Sequence, residues 1–165
     1  EGYGPGGIAI LLETLTDNKN RTSSAIRSTF TKSGGNMAES GSVMWQFSQK
    51  GIVIVDAQED LAEEMALTAI DAGADDFETY DSTLEIFAAP SNLEEVRRAL
   101  TGKSAEIRSS ELAMIPQNTV MLDSKTAKQT LRLMDLLEDL DDVQKVYSNA
   151  DFPDEALSEY GNESQ

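Results

Sequence analysis

Four segments with helical hydrophobic spacing, each flanked by two short apolar segments of strand character, determine the fold class of this 165-residue chain. The helical segments are residues 21–32, 61–70, 93–100 and 124–140. The strand segments are residues 8–15, 43–47, 52–55, 77–80, 84–88, 107–114, 120–122 and 143–150. Strand–helix–strand order repeated four times predicts an α+β protein built from two ferredoxin-like βαββαβ domains.

The division between the two domains has two solutions. An end-to-end split fits the order of elements, but Asp81-Ser82-Thr83 forms a plausible hairpin turn at the centre of residues 51–117. We therefore expect one domain to be inserted into the other. Residues 1–50 plus 118–152 then form the outer domain, residues 51–117 form an acidic inserted domain, and residues 153–165 form a loosely held acidic tail.

The most unusual segment for function is Thr16 to Thr22, TDNKNRT, which we call the elbow because it joins the first strand to the first helix. Charge-assisted donors at a helix N-terminus are well placed to meet a phosphate. The predicted nucleic-acid-binding residues are Asn18, Lys19, Asn20, Arg21, Arg27 and Lys32. The alternative is that Asp17 and Asn20 cap the helix while the cations are merely solvated.

Trp45 and Phe47 alternate with Met44 and Gln46, which predicts a strand with one apolar face. Two functions fit this pair. They can form a platform for stacking bases, as in ferredoxin-like RNA-binding domains, or they can pack in the core beneath the first helix. Core packing is the interpretation that we favour from the sequence.

The formal net charge of −17 argues against this chain as a free-standing nucleic-acid binder, because phosphates require clustered cations. The charge is unevenly distributed, since residues 1–50 carry five cations and four anions. The remaining residues form an acidic shell that would turn the N-terminal part toward nucleic acid or would simply keep the protein soluble. No apolar run is long enough for a membrane span, so no membrane partner is expected.

Histidine and cysteine are both absent, which removes the usual general bases, thiol nucleophiles and zinc ligands. The acids between Asp71 and Asp81 lack the spacing of a calcium-binding EF-hand loop. The glycines at positions 2, 4, 6 and 7 precede a strand, whereas a dinucleotide-binding loop follows one. We therefore expect no enzymatic activity, no cofactor and no metal.

Several motifs resemble the YebC/PmpR family in order and spacing over nearly the whole chain. They are Glu1-Gly2-Tyr3-Gly4-Pro5-Gly6-Gly7, the elbow, Ser33-Gly34-Gly35-Asn36 and Gly41-Ser42-Val43. Members of that family are described as transcriptional regulators and as translation factors acting at the ribosome. They carry a basic helical domain ahead of the glycine-rich motif, so the resemblance implies that this chain holds the two C-terminal domains, with the same inserted arrangement.

The resemblance implies a non-enzymatic regulator of gene expression that contacts DNA or ribosomal RNA, mainly through the basic domain. A second hypothesis is an acidic interaction module that docks on a basic ribosomal or polymerase protein. A weaker third is an effector-binding domain, which rests on fold analogy alone. We expect a cytoplasmic location, or an organellar one if the source is eukaryotic, and the sequence leaves the oligomeric state open.

Overall fold

A computed structural model of the protein describes residues 1–163 and shows a mixed α/β chain with antiparallel sheets. The strands are β1 (Gly2–Tyr3), β2 (Ala9–Thr14), β3 (Asn36–Met37), β4 (Phe47–Asp56), β5 (Asp76–Tyr80), β6 (Thr83–Ala88), β7 (Glu106–Pro116), β8 (Val120–Met121), β9 (Val143–Ser148) and β10 (Ala150–Asp151). The helices are α1 (Lys19–Lys32), α2 (Glu59–Asp71), α3 (Leu93–Gly102), α4 (Ser124–Glu138) and α5 (Asp154–Glu163).

The chain separates into two compact units. The first unit comprises Glu1–Ser48 together with the chain from Pro116 onward, and the second unit is Gln49–Ile115. Each has its own apolar core. Ile8, Ile10, Ile26, Phe30, Leu133 and Leu137 are among the buried residues of the first core, and Val53, Val55, Met65, Leu84, Ile86 and Leu100 are among those of the second.

The sheet of the first unit has the strand order β3-β1-β2-β9, with antiparallel pairing throughout. β1 consists of two residues, and Gly2 is needed there because a Cβ at this position would lie 2.5 Å from the Phe30 ring. The predicted strand at residues 120–122 does not join this sheet. Instead, β8 pairs in parallel with β10, because the backbone N–H of Val120 donates to the Asn149 carbonyl.

The sheet of the second unit has the order β5-β6-β4-β7, with β6 antiparallel to both β5 and β4. β4 runs without a break from Phe47 to Asp56, so the interruption predicted at Gln49-Lys50-Gly51 is wrong. Gly51 lies within the strand and leaves room for the Leu93 side chain. A Cβ added at position 51 would lie only 2.8 Å from Leu93 Cβ. The hairpin residue Asp81 adopts a φ of 52°, as a tight turn between β5 and β6 requires.

The structure corrects the prediction of a loosely held tail. Residues 154–163 form α5, and Ala156 is fully buried in the core of the first unit. Two polar contacts join α5 to α4. The Tyr160 hydroxyl donates a hydrogen bond to Asp135, and Lys128 forms an ion pair with Glu159. The acidic composition of this segment suggested that it had nothing to bury, but Ala156 alone is enough to pack the helix against the core. The last two residues of the predicted tail lie outside the described part of the chain.

Helical spacing predicts a buried stripe of Ala127, Leu131, Met134, Leu137 and Leu140 on α4, of which Ala127 and Leu137 are fully buried. Thr130 and Leu133 are fully buried, whereas Leu131 and Met134 are only half-buried. A buried threonine is tolerated because its hydroxyl donates to the Thr126 carbonyl at 2.9 Å. Hydrophobicity alone does not reveal such a position, since the polar atom is satisfied within the helix.

Candidate nucleic-acid interface

The elbow leads from the end of β2 at Thr14 into α1, which begins at Lys19, two residues earlier than predicted. Asn18 caps the helix, since its Oδ1 accepts a hydrogen bond from the backbone N–H of Arg21 at 3.1 Å. The backbone N–H of Asn18 in turn donates to Thr16 Oγ1 at 3.0 Å. Capping therefore falls to Asn18, a candidate site residue, and neither Asn20 nor Asp17 is the cap.

Arg21 is held by two carboxylates of the first unit. Its Nη2 lies 3.0 Å from Asp17 Oδ1 and 3.1 Å from Asp142 Oδ2. Asp142 also accepts a hydrogen bond from the Thr22 hydroxyl at 2.6 Å. The hydrogen bond from Thr22, followed by that from Arg21, lowers the pKa of the Asp142 carboxyl, and Asp142 and Asp17 raise the pKa of Arg21. Arg21 thus fixes the elbow, and much of its charge is already matched.

The other candidate side chains are exposed along α1. Lys19 and Asn20 lie in its first turn, Arg27 in the middle and Lys32 at its end. Within residues 1–163, no ion pair is found for Lys19, Arg27 or Lys32. The fold therefore brings the elbow residues together at one helix end, and it spreads Arg27 and Lys32 over the remaining length of about 15 Å.

No carboxylate occurs in α1, whose sequence is KNRTSSAIRSTFTK. Its four cations stand in a chain with 30 acidic and 13 basic residues. Thr22, Ile26 and Phe30 are its buried positions, so the hydroxyls of Ser24 and Ser28 face solvent with the cations. This is the most basic helical surface among the described residues, and its Lys, Arg and hydroxyl groups can donate hydrogen bonds to phosphate oxygens.

Glu1 joins two of the motifs that sequence analysis noted separately. Its carboxylate accepts hydrogen bonds from the backbone N–H groups of Gly41, Val43 and Met44 at 2.7, 2.8 and 2.9 Å. Burial opposes the charged form, but these backbone donors outweigh it and lower the pKa of Glu1. Gly41 allows the loop to curl around the carboxylate, since its φ is +88°.

The Glu1 contacts place residues 44–46 in a 3₁₀ turn, so the predicted strand at 43–47 is wrong apart from its last residue. Phe47 is buried as predicted, but Trp45 is 69% exposed. Its indole Nε1 donates to the Ser42 carbonyl at 3.0 Å, and it lines a surface pocket of about 130 Å³. No local sequence pattern predicts this exposure, because it depends on a contact with Glu1 more than 40 residues away.

Asn149, which sequence analysis missed, organises the same region. Its Oδ1 accepts from the Ala9 backbone N–H at 2.9 Å, and its Nδ2 donates to Gln46 Oε1 at 3.2 Å. It is a buried polar residue, and it interrupts the predicted last strand between β9 and β10. The sequence around Asn149 does not predict these hydrogen bonds, because both partners are distant in the chain.

Within residues 1–163 no group of three or more acidic side chains is arranged to hold a metal ion. The glycine-rich motif forms β1 and the 3₁₀ turn Pro5–Gly7, in which Gly4 N–H donates to Ile8 O at 2.9 Å. None of the helices in that range has the length and apolarity needed to cross a bilayer.

The chain has relatives by sequence and by structure. Residues 1–150 match the family described as "TACO1/YebC second and third domain". A "probable transcriptional regulatory protein" of Halothermothrix orenii is 51% identical over 99% of this chain and 66% of its own length. Another with the same description, from Dehalococcoides mccartyi, is 46% identical over 99% of this chain and 65% of its own length. The chain thus spans slightly less than two thirds of these curated relatives.

The crystal structure of a conserved hypothetical protein from Aquifex aeolicus superposes with a TM-score of 0.84 at 39% identity. The match covers 93% of this chain and 63% of the Aquifex chain. Sequence and structure therefore agree, and the resemblance noted from the motifs is confirmed. This chain belongs to the TACO1/YebC family and corresponds to its second and third domains.

Proposed function

We propose that this chain is part of a non-enzymatic regulator of gene expression that acts through nucleic acid. DNA-bound transcriptional regulation and ribosome-associated translation are both forms of this proposal. The relatives carry the description of probable transcriptional regulatory proteins. The observation that carries the proposal is the solvent face of α1, which offers Lys19, Arg27 and Lys32 without a carboxylate in the helix.

The net charge limits how strongly this chain binds by itself. The second unit has five cations and 15 acids, and the whole chain has a charge of −17. Such a field repels phosphate at long range and favours approach from the side of α1. We therefore expect α1 to supplement a larger basic contact elsewhere in the full-length protein, as the family resemblance implied.

For the fold, we propose that both units are ferredoxin-like and that residues 51–117 form a domain inserted into residues 1–50 plus 118–152. The second unit supports this with the strand order β5-β6-β4-β7 and helices after its first and third strands. The first unit supports it less directly. β1 occupies the sheet position that the strand before α4 takes in a regular ferredoxin-like fold.

The test reverses charge on α1 in the variant Lys19→Glu, Arg27→Glu, Lys32→Glu. A matched control, Arg98→Glu, Lys103→Glu, Lys125→Glu, makes the same change in net charge at exposed cations outside α1. We expect the α1 variant to weaken binding to duplex DNA or to ribosomes and the control to bind much as the original chain does. Equal effects of the two variants would refute a specific role of α1.

A groove on the second unit favours a second candidate function, docking on a basic protein. The groove has a volume of about 450 Å³ and lies between α2 and the sheet-edge strand β5. Leu67, Phe77 and Tyr80 line it with 61%, 41% and 49% exposure, and Glu59, Glu63 and Asp81 provide its acidic part. The apolar and acidic lining of the groove is complementary to a basic amphipathic segment, such as one of a ribosomal or polymerase protein.

The same ribosome-binding assay separates the two candidates. The groove variant Glu59→Lys, Glu63→Lys, Asp81→Lys would weaken binding if the groove receives a basic protein segment. The control Asp71→Lys, Glu95→Lys, Glu106→Lys changes the net charge equally at other exposed acids of the second unit. Loss with the groove variant but not with the α1 variant would replace the first proposal with the second.

A further inference from the structure

The pocket beside Trp45 differs in chemistry from the rest of the surface. It is lined by Trp45, Gln46, Gln117, Asn118, Val120 and Asn149, none of which carries charge. The four other pockets described on this chain each include at least one carboxylate. In a chain of net charge −17, this neutral, amide-rich lining suits a flat ligand that forms hydrogen bonds and has no charge at the point of contact.

The indole ring is exposed but held in place. Its N–H is already donated to the Ser42 carbonyl, so the ring faces are what remain available for a ligand. The backbone of the turn is fixed as well, since Gln46 N–H donates to Val43 O at 2.9 Å and Gln117 Nε2 lies 3.4 Å from Trp45 O. A ring that is ordered before binding loses little conformational entropy when a planar group stacks on it.

The amides next to the ring have unused hydrogen-bonding capacity. Asn149 uses its Oδ1 for Ala9 N–H and its Nδ2 for Gln46 Oε1. The Gln46 amide nitrogen and the Asn118 side chain have no partner within residues 1–163. An amide presents a donor and an acceptor side by side, which matches the polar edge of a nucleobase.

We propose that this pocket binds an unpaired nucleobase of single-stranded RNA or DNA, stacked on Trp45 with its polar edge at Gln46 and Asn118. The inference rests on the proposed function, because it gives the first unit a second contact to nucleic acid. The pocket is linked through Asn149 to Ala9, the first residue of β2, whereas the elbow follows the last. The strand β2, about 17 Å long, therefore connects the two contacts.

The lining of the pocket favours an unpaired base over duplex nucleic acid and over proline-rich peptides. A base inside a duplex is stacked and paired, so it cannot lie on the indole, and duplex nucleic acid is excluded from this site. Proline-rich peptides are the competing class, but they dock in grooves lined by several aromatic rings. Here one aromatic ring is combined with four amide side chains, which favours the base.

The first test uses neutral nucleosides, because they lack phosphate and are independent of α1. Trp45 is the single tryptophan of the chain, so its indole N–H gives one assignable signal in a ¹⁵N-correlated NMR spectrum. We expect adenosine and uridine to shift that signal and the side-chain amide signals of Gln46 and Asn118. A neutral proline-rich peptide that shifts them while nucleosides do not would overturn the inference.

The second test measures the affinity for a labelled single-stranded oligonucleotide by fluorescence anisotropy, as ribo- and deoxyribo- forms. Trp45→Ala should raise its Kd at least about fivefold, and Trp45→Phe should retain part of the affinity because phenylalanine still stacks. Leu136→Ala, at an exposed apolar residue of α4, is the control and should leave Kd unchanged.

Duplex DNA of the same sequence separates this inference from the proposed function. The α1 charge-reversal variant should weaken binding of both nucleic-acid forms, whereas Trp45→Ala should weaken only the single-stranded form. If the α1 variant loses both and Trp45→Ala changes neither, the pocket assignment is wrong and the proposed function survives. If nucleosides shift the indole signal but no oligonucleotide responds to the α1 variant, the pocket assignment survives and the role of α1 is wrong.

Discussion

Glu1 and Asp142 show how single carboxylates hold distant segments of the first unit together. Glu1 accepts hydrogen bonds from three backbone N–H groups of residues 41–44. Asp142 accepts a hydrogen bond from Thr22 and forms an ion pair with Arg21 at the elbow. Both therefore act as hydrogen-bond acceptors within the fold. Each joins segments far apart in the chain, which is why neither role was predictable from local sequence.

These two carboxylates predict a loss of stability in acid. Both have a pKa below the ordinary value, so their contribution to stability is complete above about pH 5 and is lost as the pH falls through the lower folded-state pKa. Urea unfolding at pH 7 and pH 3 measures this. Glu1→Gln should cost about 1 kcal/mol at pH 7 and should lose less stability than the original chain between the two pH values.

Glu39→Gln is the control for that experiment, because Glu39 is an exposed glutamate near the same loop. It should unfold like the original chain at both pH values. A Glu1→Gln variant with unchanged stability at pH 7 would mean that the contacts of Glu1 with residues 41–44 contribute nothing in solution.

Asn18, at the start of α1, was predicted to bind nucleic acid, and the structure shows that its side chain caps the helix. Local composition identified the elbow and the cationic helix, since both follow from nearby residues. It did not identify which residue caps α1, because Asn18 and Asn20 have the same chemistry and differ only in backbone geometry. The partners of Arg21 were equally hidden, since Asp142 lies 121 residues further along the chain.

Asn18→Ala is predicted to lower the free energy of unfolding by about 1 kcal/mol, because the Arg21 N–H loses its partner. Asn20→Ala, in the first turn of the same helix, should have little effect. Thermal unfolding of both variants measures the difference. Equal destabilisation would show that the cap is not made by Asn18 alone.

Helix α5 is the element whose contribution is most easily underestimated from composition. Ala156 is buried against the core of the first unit, so Ala156→Asp would bury a charge without a partner. We expect a loss of more than about 2 kcal/mol in the free energy of unfolding. Ser158→Asp, at an exposed position of the same helix, is the matched change and should be nearly neutral. If both variants unfold alike, α5 does not pack in solution as described.

For the whole molecule, hydrophobic spacing predicted the helices α1 to α4 and most of the longer strands, but not β1, β3, α5 or most of the strand pairing. The two-residue strand β1 and the turn at residues 44–46 depend on Gly2 fitting beneath Phe30 and on Glu1 reaching its loop. Periodicity cannot encode such contacts. The exposure of Trp45 is one consequence, whereas the apolar alternation around it predicted core packing.

Charge is the other property of the whole molecule that bears on function. A chain of net charge −17 approaches a polyanion most favourably through a local cluster of cations. Helix α1 provides such a face, whereas the groove between α2 and β5 has the opposite character. The two surfaces differ in charge, so the two proposed partners, nucleic acid and a basic protein segment, would bind at different places on the chain.

The most direct measurement is the salt dependence of duplex DNA binding for the original chain, the α1 charge-reversal variant and the matched control. We predict that the α1 variant has a shallower slope of log K against log salt, by about 0.9 for each phosphate contact removed. The control should keep the original slope. Identical slopes for the α1 variant and the control would contradict the claim that α1 contacts nucleic acid.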